Sequence, residues 1–317
     1  MSVHLRCVNP GALATVQDAG RMGYQRYGVP PSGAVDLFTF HIANALVGND
    51  PDEAAIEFTL TGGSWTVEGG ACRVAVAGAF PVALNGTTLP AFRALDLAPG
   101  DLLKIGVGAG AARGYLAVAG GFAIEPVLGS RATHVRSGLG GLDGKALAKG
   151  ARLALRAPEV SDPPLALDPR LARHDPGALR VVPGPQDDYF DAAALHAFVA
   201  QPWRMHPQSD RMGLRLEGRP LQHKSGFNIV SDGIAPGSIQ VPGNGLPIVL
   251  LADRQSTGGY PKIATVVSAD LPRLGQLRPG DTVRFEAITV EAAETLAREA
   301  AGRMNLLRAA LRPAGIV

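Results

Sequence analysis

AIEFTL (Ala55–Leu60), SWTVEG (Ser64–Gly69), CRVAVAG (Cys72–Gly78), PVALNG (Pro81–Gly86), DLLKIGV (Asp101–Val107) and GYLAVAGG (Gly114–Gly121) crowd into the stretch between Ala54 and Gly121. Each segment is short, rich in branched or small apolar residues, and closed by Gly, Asn or Pro. That is the pattern of strands joined by tight turns. Asn85-Gly86 adds a hairpin signal, because a type I′ turn needs positive φ at both central residues. Gly (40) and Pro (25) recur every few residues instead of gathering in low-complexity tracts. The helical stretches that an alternating α/β chain needs between its strands are mostly missing. The chain reads as mainly β.

Upstream, residues 3–19 read as a strand, a Pro10-Gly11 turn and a second strand from Leu13 to Gln17. The next segment, Gln17–Asp36 (QDAGRMGYQRYGVPPSGAVD), has too many Gly and Pro for a regular element. A loop of that length inside a compact domain is either functional or disordered. Tyr24 and Tyr27 argue against disorder, and a packed loop with only a structural role is the alternative. From Gly33 to Val47 apolar residues fall at helical spacing, with Gly48-Asn49 as the stop. Ser32 or Asp36 would stand at the start of that helix, where backbone N–H groups favour an anion. For Ser32 a helix cap is the plainer reading. His41, mid-helix among apolar neighbours, reads as a packing residue.

Downstream, Gly106-x-Gly-x-Gly110 is a weak match to a phosphate loop and reads as a hairpin connection, since its flanks are strands. Gly144-Lys145 fails as a nucleotide loop because Ala146 stands where Ser or Thr would bind magnesium. The Pro- and Asp-rich stretch Ala157–Ala178 is the best linker candidate. It divides the chain into an N-terminal β lobe (1–160), a linker (161–178), a C-terminal β lobe (179–290) and a C-terminal helix (291–317). In the second lobe, LRVVPGPQ is a strand, Asp187–Ala200 a helix, and Ser209–Gly218 a strand carrying Asp210, Arg211 and Arg215. Alternation puts Met212, Leu214 and Leu216 on one face and Arg211, Arg215 and Glu217 on the other. Leu277-Arg-Pro-Gly-Asp281 echoes Leu97-Ala-Pro-Gly-Asp101 in the first lobe, a hint of duplication.

The functional centre of gravity is Ser231–Lys262 (SDGIAPGSIQVPGNGLPIVLLADRQSTGGYPK). An apolar run, Leu246–Ala252, delivers Asp253, Arg254, Gln255, Ser256 and Thr257 to a Gly258-Gly259 turn. Polar groups at the end of a buried strand have the rigid support that binding sites need. A hairpin whose turn happens to be polar is the alternative.

Composition excludes several classes. The net charge of +2 gives no electrostatic argument for nucleic acid or a membrane surface. No run of eighteen apolar residues predicts a membrane span. The first residues, MSVHLRCVNPG, do not read as a signal peptide, so the expected location is the cytoplasm. Cys7 and Cys72 read as free thiols. The seven histidines form no H-x-H or H-E-x-x-H pattern, so no metal site is expected, and there is no G-x-S-x-G elbow. What remains is a chemistry of carboxylates, guanidiniums, amides and a lysine, suited to carboxylate, amide or phosphate ligands.

Several ordered motifs resemble one family: TVQDAGRMG (Thr15–Gly23), GVPPSGAVD (Gly28–Asp36), ANALVGN (Ala43–Asn49), SDRMGLRLEG (Ser209–Gly218), and SIQVP (Ser238–Pro242) followed by LADRQSTGGYPKIA (Leu251–Ala264). They are similar to signatures of the KipA family, whose members are also described as the C subunit of 5-oxoprolinase, as allophanate hydrolase subunit 2 or as biotin-dependent carboxyltransferase. Val35 stands where many members have Met, and Ser256 where Thr is common. The resemblance implies tandem cyclophilin-like β-barrel lobes with a few short helices. It implies work with the KipI-like B component of 5-oxoprolinase and with its A component, opening 5-oxoproline to glutamate with ATP and Mg. Two alternatives follow from it. One is the carboxyltransferase part of a urea carboxylase/allophanate system, with biotin on another chain because no M-K-M context occurs here. The other is a KipI-binding regulator of a histidine kinase.

Both enzymatic readings activate a small planar amide. Carried from the motifs, Arg211, Arg254 and Lys262 are expected to meet the ligand's negative charge. Asp36, Asp210 and Asp253 are the candidate acid/base or orienting groups, and for Asp210–Arg211 a structural salt bridge is the alternative. Ser32, Gln240, Gln255 and Thr257 are the expected substrate contacts. The resemblance suggests half an active site, completed by another protein of the complex.

Overall fold

The computed structural model describes residues 2–156 and 162–314. The chain divides into two compact units, the first made of residues 1–21, 32–173 and 304–317, the second of residues 22–31 and 174–303. Both are β-built, and the mainly β class with a few short helices and a C-terminal helix holds.

The first unit is a pair of sheets. One has six strands in the order Arg152–Ala154, His4–Asn9, Thr61–Glu68, Leu102–Val107, Val82–Leu84 and Thr87–Leu89. The other has seven, ordered Leu13–Gln17, Ala55–Thr59, Arg113–Val118, Cys72–Ala77, Arg93–Leu97, Leu165–Ala166 and Arg312–Pro313. Strands Cys72–Ala77 and Arg113–Val118 are buried on both faces, and the period of two explains how. Val74, Val76, Leu116 and Val118 enter one core with Trp65, Phe58 and Ile105. Ala75, Ala77, Tyr115 and Ala117 enter the other with Phe40, Ile42 and Leu46 of helix Leu37–Leu46. The helix packs over a floor of alanines, whose small side chains let it lie close to the sheet. Cys7 and Cys72 are buried free thiols, and burial pushes them up to about 11 and about 12, well away from thiolate reactivity.

The Asn85-Gly86 hairpin forms as the sequence predicts. Both residues have positive φ, 50° and 86°, and Val82–Leu84 pairs antiparallel with Thr87–Leu89. The Gly106–Gly110 segment is not a hairpin connection. Leu102–Val107 lies in the six-stranded sheet and Arg113–Val118 in the seven-stranded one, so these glycines carry the chain from sheet to sheet.

The second unit holds an eight-stranded sheet ordered Thr282–Val283, Trp203–Met205, Gly213–Glu217, Ile248–Leu250, Ser238–Gln240, Lys262–Val266, Leu179–Pro183 and Phe285–Ala287. All pairs are antiparallel except the last. Helix Ala192–Ala200, capped by Asp191, sends Phe198 onto Phe285 with ring centroids 4.7 Å apart. A separate two-stranded ribbon pairs Asp232–Gly233 with Thr257–Gly258.

The duplicated turn is real in its details. Asp101 Oδ2 accepts from Ala98 N at 2.7 Å, and Asp281 Oδ2 accepts from Arg278 N at 2.8 Å. In both copies the Asp N–H returns to the same residue's carbonyl at 3.0 Å.

Three boundaries differ from expectation. The linker over 161–178 does not stand apart: residues 162–173 belong to the first unit, where Leu165–Ala166 joins the seven-stranded sheet, and 174–178 belong to the second. Its start, residue 161, lies outside the described residues. Asp187–Ala200 is not one helix but a 3-10 turn, Asp187–Tyr189, and then Ala192–Ala200, because Asp191 caps the second piece. The C-terminal helix is Val290–Ala309, and residues 304–314 belong to the first unit.

Candidate functional site: a donor-lined cluster in the second unit

The apolar run Leu246–Ala252 forms strand Ile248–Leu250, with Val249 fully buried. Its continuation is tied to the segment before Gly213: Leu251 N donates to Met212 O at 2.9 Å and Asp253 N to Arg211 O at 3.0 Å. These backbone bonds place Asp253 beside Arg211. The Arg211 Nε and Nη2 then donate to the two Asp253 oxygens at 2.9 and 3.1 Å, a bidentate pair with both residues buried. The alternation in the sequence places Arg211 on one strand face with Arg215 and Glu217. The strand begins only at Gly213, so the alternation never reaches Arg211.

Arg254, one residue on, is 3% exposed. Its Nε donates to Ile234 O at 3.1 Å and its Nη1 to Leu251 O at 3.2 Å. It has no carboxylate partner among the described residues. Burial alone lowers its pKa to about 10, so the group is still a cation at neutral pH. A buried guanidinium held by carbonyls, with no counter-charge, is a standing invitation to an anion or a polarised carbonyl.

Two further buried polar atoms are linked to Arg254 through Ile234. Ile234, whose carbonyl receives Arg254, donates its N–H to Ser256 O at 3.1 Å. The Ser256 hydroxyl is buried without a hydrogen-bond partner, and so is the Gln240 amide nitrogen. Gly258 sits against both Gln240 and Ile234: a Cβ there would stand 2.5 Å from Gln240 Nε2 and 2.8 Å from Ile234 Cδ1. Glycine keeps that space open. Ile234 thus links the three groups, and buried polar atoms without partners are ones that a ligand could satisfy.

Lys262 closes the cluster. It is paired in register with Gln240 across a bulge at Ile239/Gln240. Its Nζ is buried and donates to Asp232 Oδ2 at 3.0 Å, where Gln186 Nε2 also reaches at 3.4 Å. The Lys262 hydrogen bond is the main reason the Asp232 carboxyl lies below its usual range. Lys262 N donates to Gln186 Oε1 at 3.2 Å. The approach is possible because residue 184 is glycine: a Cβ on it would overlap Lys262 O at 2.0 Å. Gln255 is half-buried, and Thr257 is exposed on the two-stranded ribbon.

Asp210 stands differently from expectation. It is exposed, and its Oδ1 accepts from Met212 N at 2.8 Å and Gly213 N at 3.2 Å, the geometry of an Asx turn. Its carboxylate shapes the chain ahead of the strand.

Ser32 and Asp36 belong to the first unit. Asp36, not Ser32, is the cap of helix Leu37–Leu46. It is fully buried, and its carboxylate accepts from Thr39 N at 3.0 Å and Thr39 Oγ1 at 2.6 Å. The backbone leading to it is fully engaged. Gly33 N donates to Gln17 Oε1, Ala34 N to Asp18 O, Val35 N to Glu57 Oε2 and Asp36 N to Tyr115 Oη. The N–H groups expected to receive an anion are therefore occupied by protein acceptors. Tyr115 also donates to Glu57 at 2.8 Å; burial first, then the Glu57 and Asp36 charges, push the phenol well above 10. Ser32 itself has φ +56°, a left-handed conformation unusual for serine, and a buried hydroxyl with no hydrogen-bond partner.

Asp232, Gln186, Glu57 and Tyr115 were not singled out in the sequence. Glu57 did carry a signal, since an acid inside AIEFTL has apolar neighbours on both sides. Gln186 carried none, because its partner Lys262 is far along the chain. Among the described residues no group of three or more His, Cys, Asp or Glu could hold a metal ion.

In chemical terms the cluster around Arg254, Gln240 and Ser256 presents donors. It suits a planar ligand that offers carbonyl or carboxylate oxygens, whose developing negative charge a buried guanidinium would stabilise.

Comparison with known proteins gives a consistent picture. The model of the carboxyltransferase domain, subdomain A and B, matches residues 27–287. The C subunit of 5-oxoprolinase from Escherichia coli (strain K12) is 36% identical over 305 residues, covering 91% of this chain and 93% of that protein. The protein of the same name in Haemophilus influenzae is 34% identical over 287 residues, with 90% and 92% covered. Among solved structures, Kluyveromyces lactis urea carboxylase superposes with a TM-score of 0.89 at 29% identity, over 99% of this chain and 30% of that one.

Proposed function

We propose that this chain, which belongs to the carboxyltransferase domain, subdomain A and B, family, is the C subunit of a multi-protein 5-oxoprolinase that converts 5-oxoproline to glutamate with ATP. One observation carries the reading: the buried Arg254 guanidinium has no carboxylate partner among the described residues and is tied through Ile234 to the segment that carries the partnerless Ser256 hydroxyl, with the partnerless Gln240 amide packed against Gly258. A lactam has a carbonyl oxygen that accepts such donors and a carboxylate that adds an anion. Arg254 would polarise the carbonyl, lowering the barrier to attack on its carbon. Asp253, oriented by the bidentate Arg211, would hold the strand end in place. Lys262, with its ammonium held by Asp232, would balance charge at the edge of the site.

The glycine motifs of this chain do not fit a nucleotide loop, which assigns magnesium–ATP to the other components in this reading. Among the described residues no group of three or more His, Cys, Asp or Glu could hold a metal ion, and Ala146 stands where a phosphate loop has Ser or Thr. Nucleotide binding would then fall to the other components, A and a KipI-like B, with the assembly in the cytoplasm. The described residues hold no helix long and apolar enough to cross a membrane.

A second reading has its own support. The likeness to Kluyveromyces lactis urea carboxylase extends over nearly the whole chain. The same donors would suit urea as a planar amide, in a carboxyltransferase whose biotin is carried elsewhere.

The deciding experiment mixes the chain with its cognate A and B components and follows ATP-dependent glutamate release from 5-oxoproline. Release that requires this chain supports the first reading. Absence of release from the full set, with urea-stimulated ATP use in the presence of a biotin carrier, overturns it in favour of the second.

A further inference from the structure

A groove of about 220 Å³ lies in the second unit, lined by residues outside the donor cluster. It rests on strand Gly213–Glu217, where side chains two residues apart point the same way, so Arg215 and Glu217 share a face. Arg215 is exposed, and its guanidinium has no hydrogen-bond or ion-pair partner among the described residues. Among the described residues the Glu217 carboxylate has only long contacts, to His206 Nε2 at 3.6 Å and Arg204 Nη1 at 4.0 Å. Exposed pairs at such distances contribute little, so the carboxylate is available.

The rest of the lining sharpens the chemistry. His206 Nδ1 accepts from Gln208 N at 3.0 Å, which leaves its Nε2–H turned toward Glu217. Asn244 Oδ1 accepts from Leu246 N at 3.1 Å, so its NH2 is left to donate. Ile248 stands opposite Arg215 in the register, and Leu246 and Pro247 continue the apolar wall. A cation and an amide donor, a carboxylate two residues along, and an aliphatic wall are thus gathered in one small space. The two charged residues are roughly 6.7 Å apart along the strand, a gap that the long Arg215 side chain can shorten. Pockets for drug-sized ligands run to about 300–1,000 Å³, so this one suits a molecule smaller than a nucleotide.

We infer that this groove binds a free aliphatic α-amino acid as its zwitterion. The carboxylate meets Arg215 and the Asn244 amide, the ammonium meets Glu217, and the side chain packs against Leu246, Pro247 and Ile248. The site is separate from the Arg254 cluster and does not depend on the reaction assigned to that cluster.

The test is a titration of the full chain, carrying isoleucine methyl labels, with L-leucine, isocaproate (no ammonium) and isopentylamine (no carboxylate). The expected result is a saturable shift of the Ile248 methyl signal with L-leucine, and binding roughly tenfold weaker for each analogue. Arg215→Met and Glu217→Gln should each weaken L-leucine by roughly tenfold, with the urea midpoint at the wild-type value. Absence of a saturable shift overturns the inference. So does isocaproate binding as tightly as L-leucine, or L-leucine binding unchanged in either variant. Should a variant lose its fold, the analogue series on the native chain decides alone.

Discussion

Two buried polar clusters, one in each unit, are built on opposite principles. In the first unit Gln17, Asp18, Glu57 and Tyr115 accept every backbone N–H from Gly33 to Asp36, and Asp36 then caps the helix that follows. Backbone donors are matched by acceptors here, with the Ser32 hydroxyl left over, and the result is a fixed loop. In the second unit Arg254 has no counter-charge among the described residues, and two polar atoms linked to it through Ile234 lack partners there. Saturation is what a fold needs, whereas unused donors held under cover add nothing to stability and serve a ligand. The contrast recurs between neighbours, since Arg211 is closed by Asp253 and Arg254 is not.

The contrast can be broken at several points. Arg211→Ala strands the buried Asp253 charge and should cost about 3–5 kcal/mol in urea unfolding. A loss below ~1 kcal/mol would show that the pair is not a closed structural device. Asp36→Ala removes the acceptor for Thr39 N and Oγ1 and should cost about 1–2 kcal/mol, with turnover in the assembled enzyme unchanged per folded molecule. Turnover falling while stability holds would restore Asp36 as an acid/base group. Gly258→Ala pushes a methyl group toward the Gln240 amide and the Ile234 methyl, both ends of side chains that can swing aside. Stability should change by less than ~1 kcal/mol while turnover drops about tenfold. An unchanged rate would remove Gln240 from the site.

The smallest effect concerns pH. Burial raises the Asp270 pKa, but the hydrogen bonds and charges of Arg180 and Arg273 outweigh it, and the net shift is downward. A carboxyl depressed in the folded state binds its proton more readily when unfolded. Its contribution is therefore complete above about pH 4 and is lost as pH falls further. Asp270→Asn should flatten the acid limb of a stability–pH curve, and an unchanged limb would assign that slope to other carboxyls.

Much of this architecture is legible in the sequence because it rests on local rules. The Asn85-Gly86 turn, the helix stop at Gly48 and the alternation of Leu214 and Leu216 each depend on residues within a few positions. What is not legible depends on chain segments meeting. Nothing local in Gln17–Asp36 says that residues 22–31 pack with the second unit, or that Glu57 and Tyr115 hold Val35 and Asp36. The DRQST motif located the donor cluster, yet it could not say that Arg254 stays without a carboxylate while Arg211 takes Asp253. That distinction requires the pairing of Met212 with Leu251. Asp210 looked like a catalytic acid because Asx turns and acid/base sites use the same side chain.

The most direct test of the contrast is Arg254→Met, measured both for glutamate release in the reconstituted complex and for urea unfolding of the isolated chain. Removing an uncompensated buried charge should leave the urea midpoint unchanged or raised. Removing the group that stabilises developing charge should lower turnover by about 10²–10³-fold. Retained turnover, or a loss of turnover that tracks a loss of stability, would contradict the account and make Arg254 one more structural arginine.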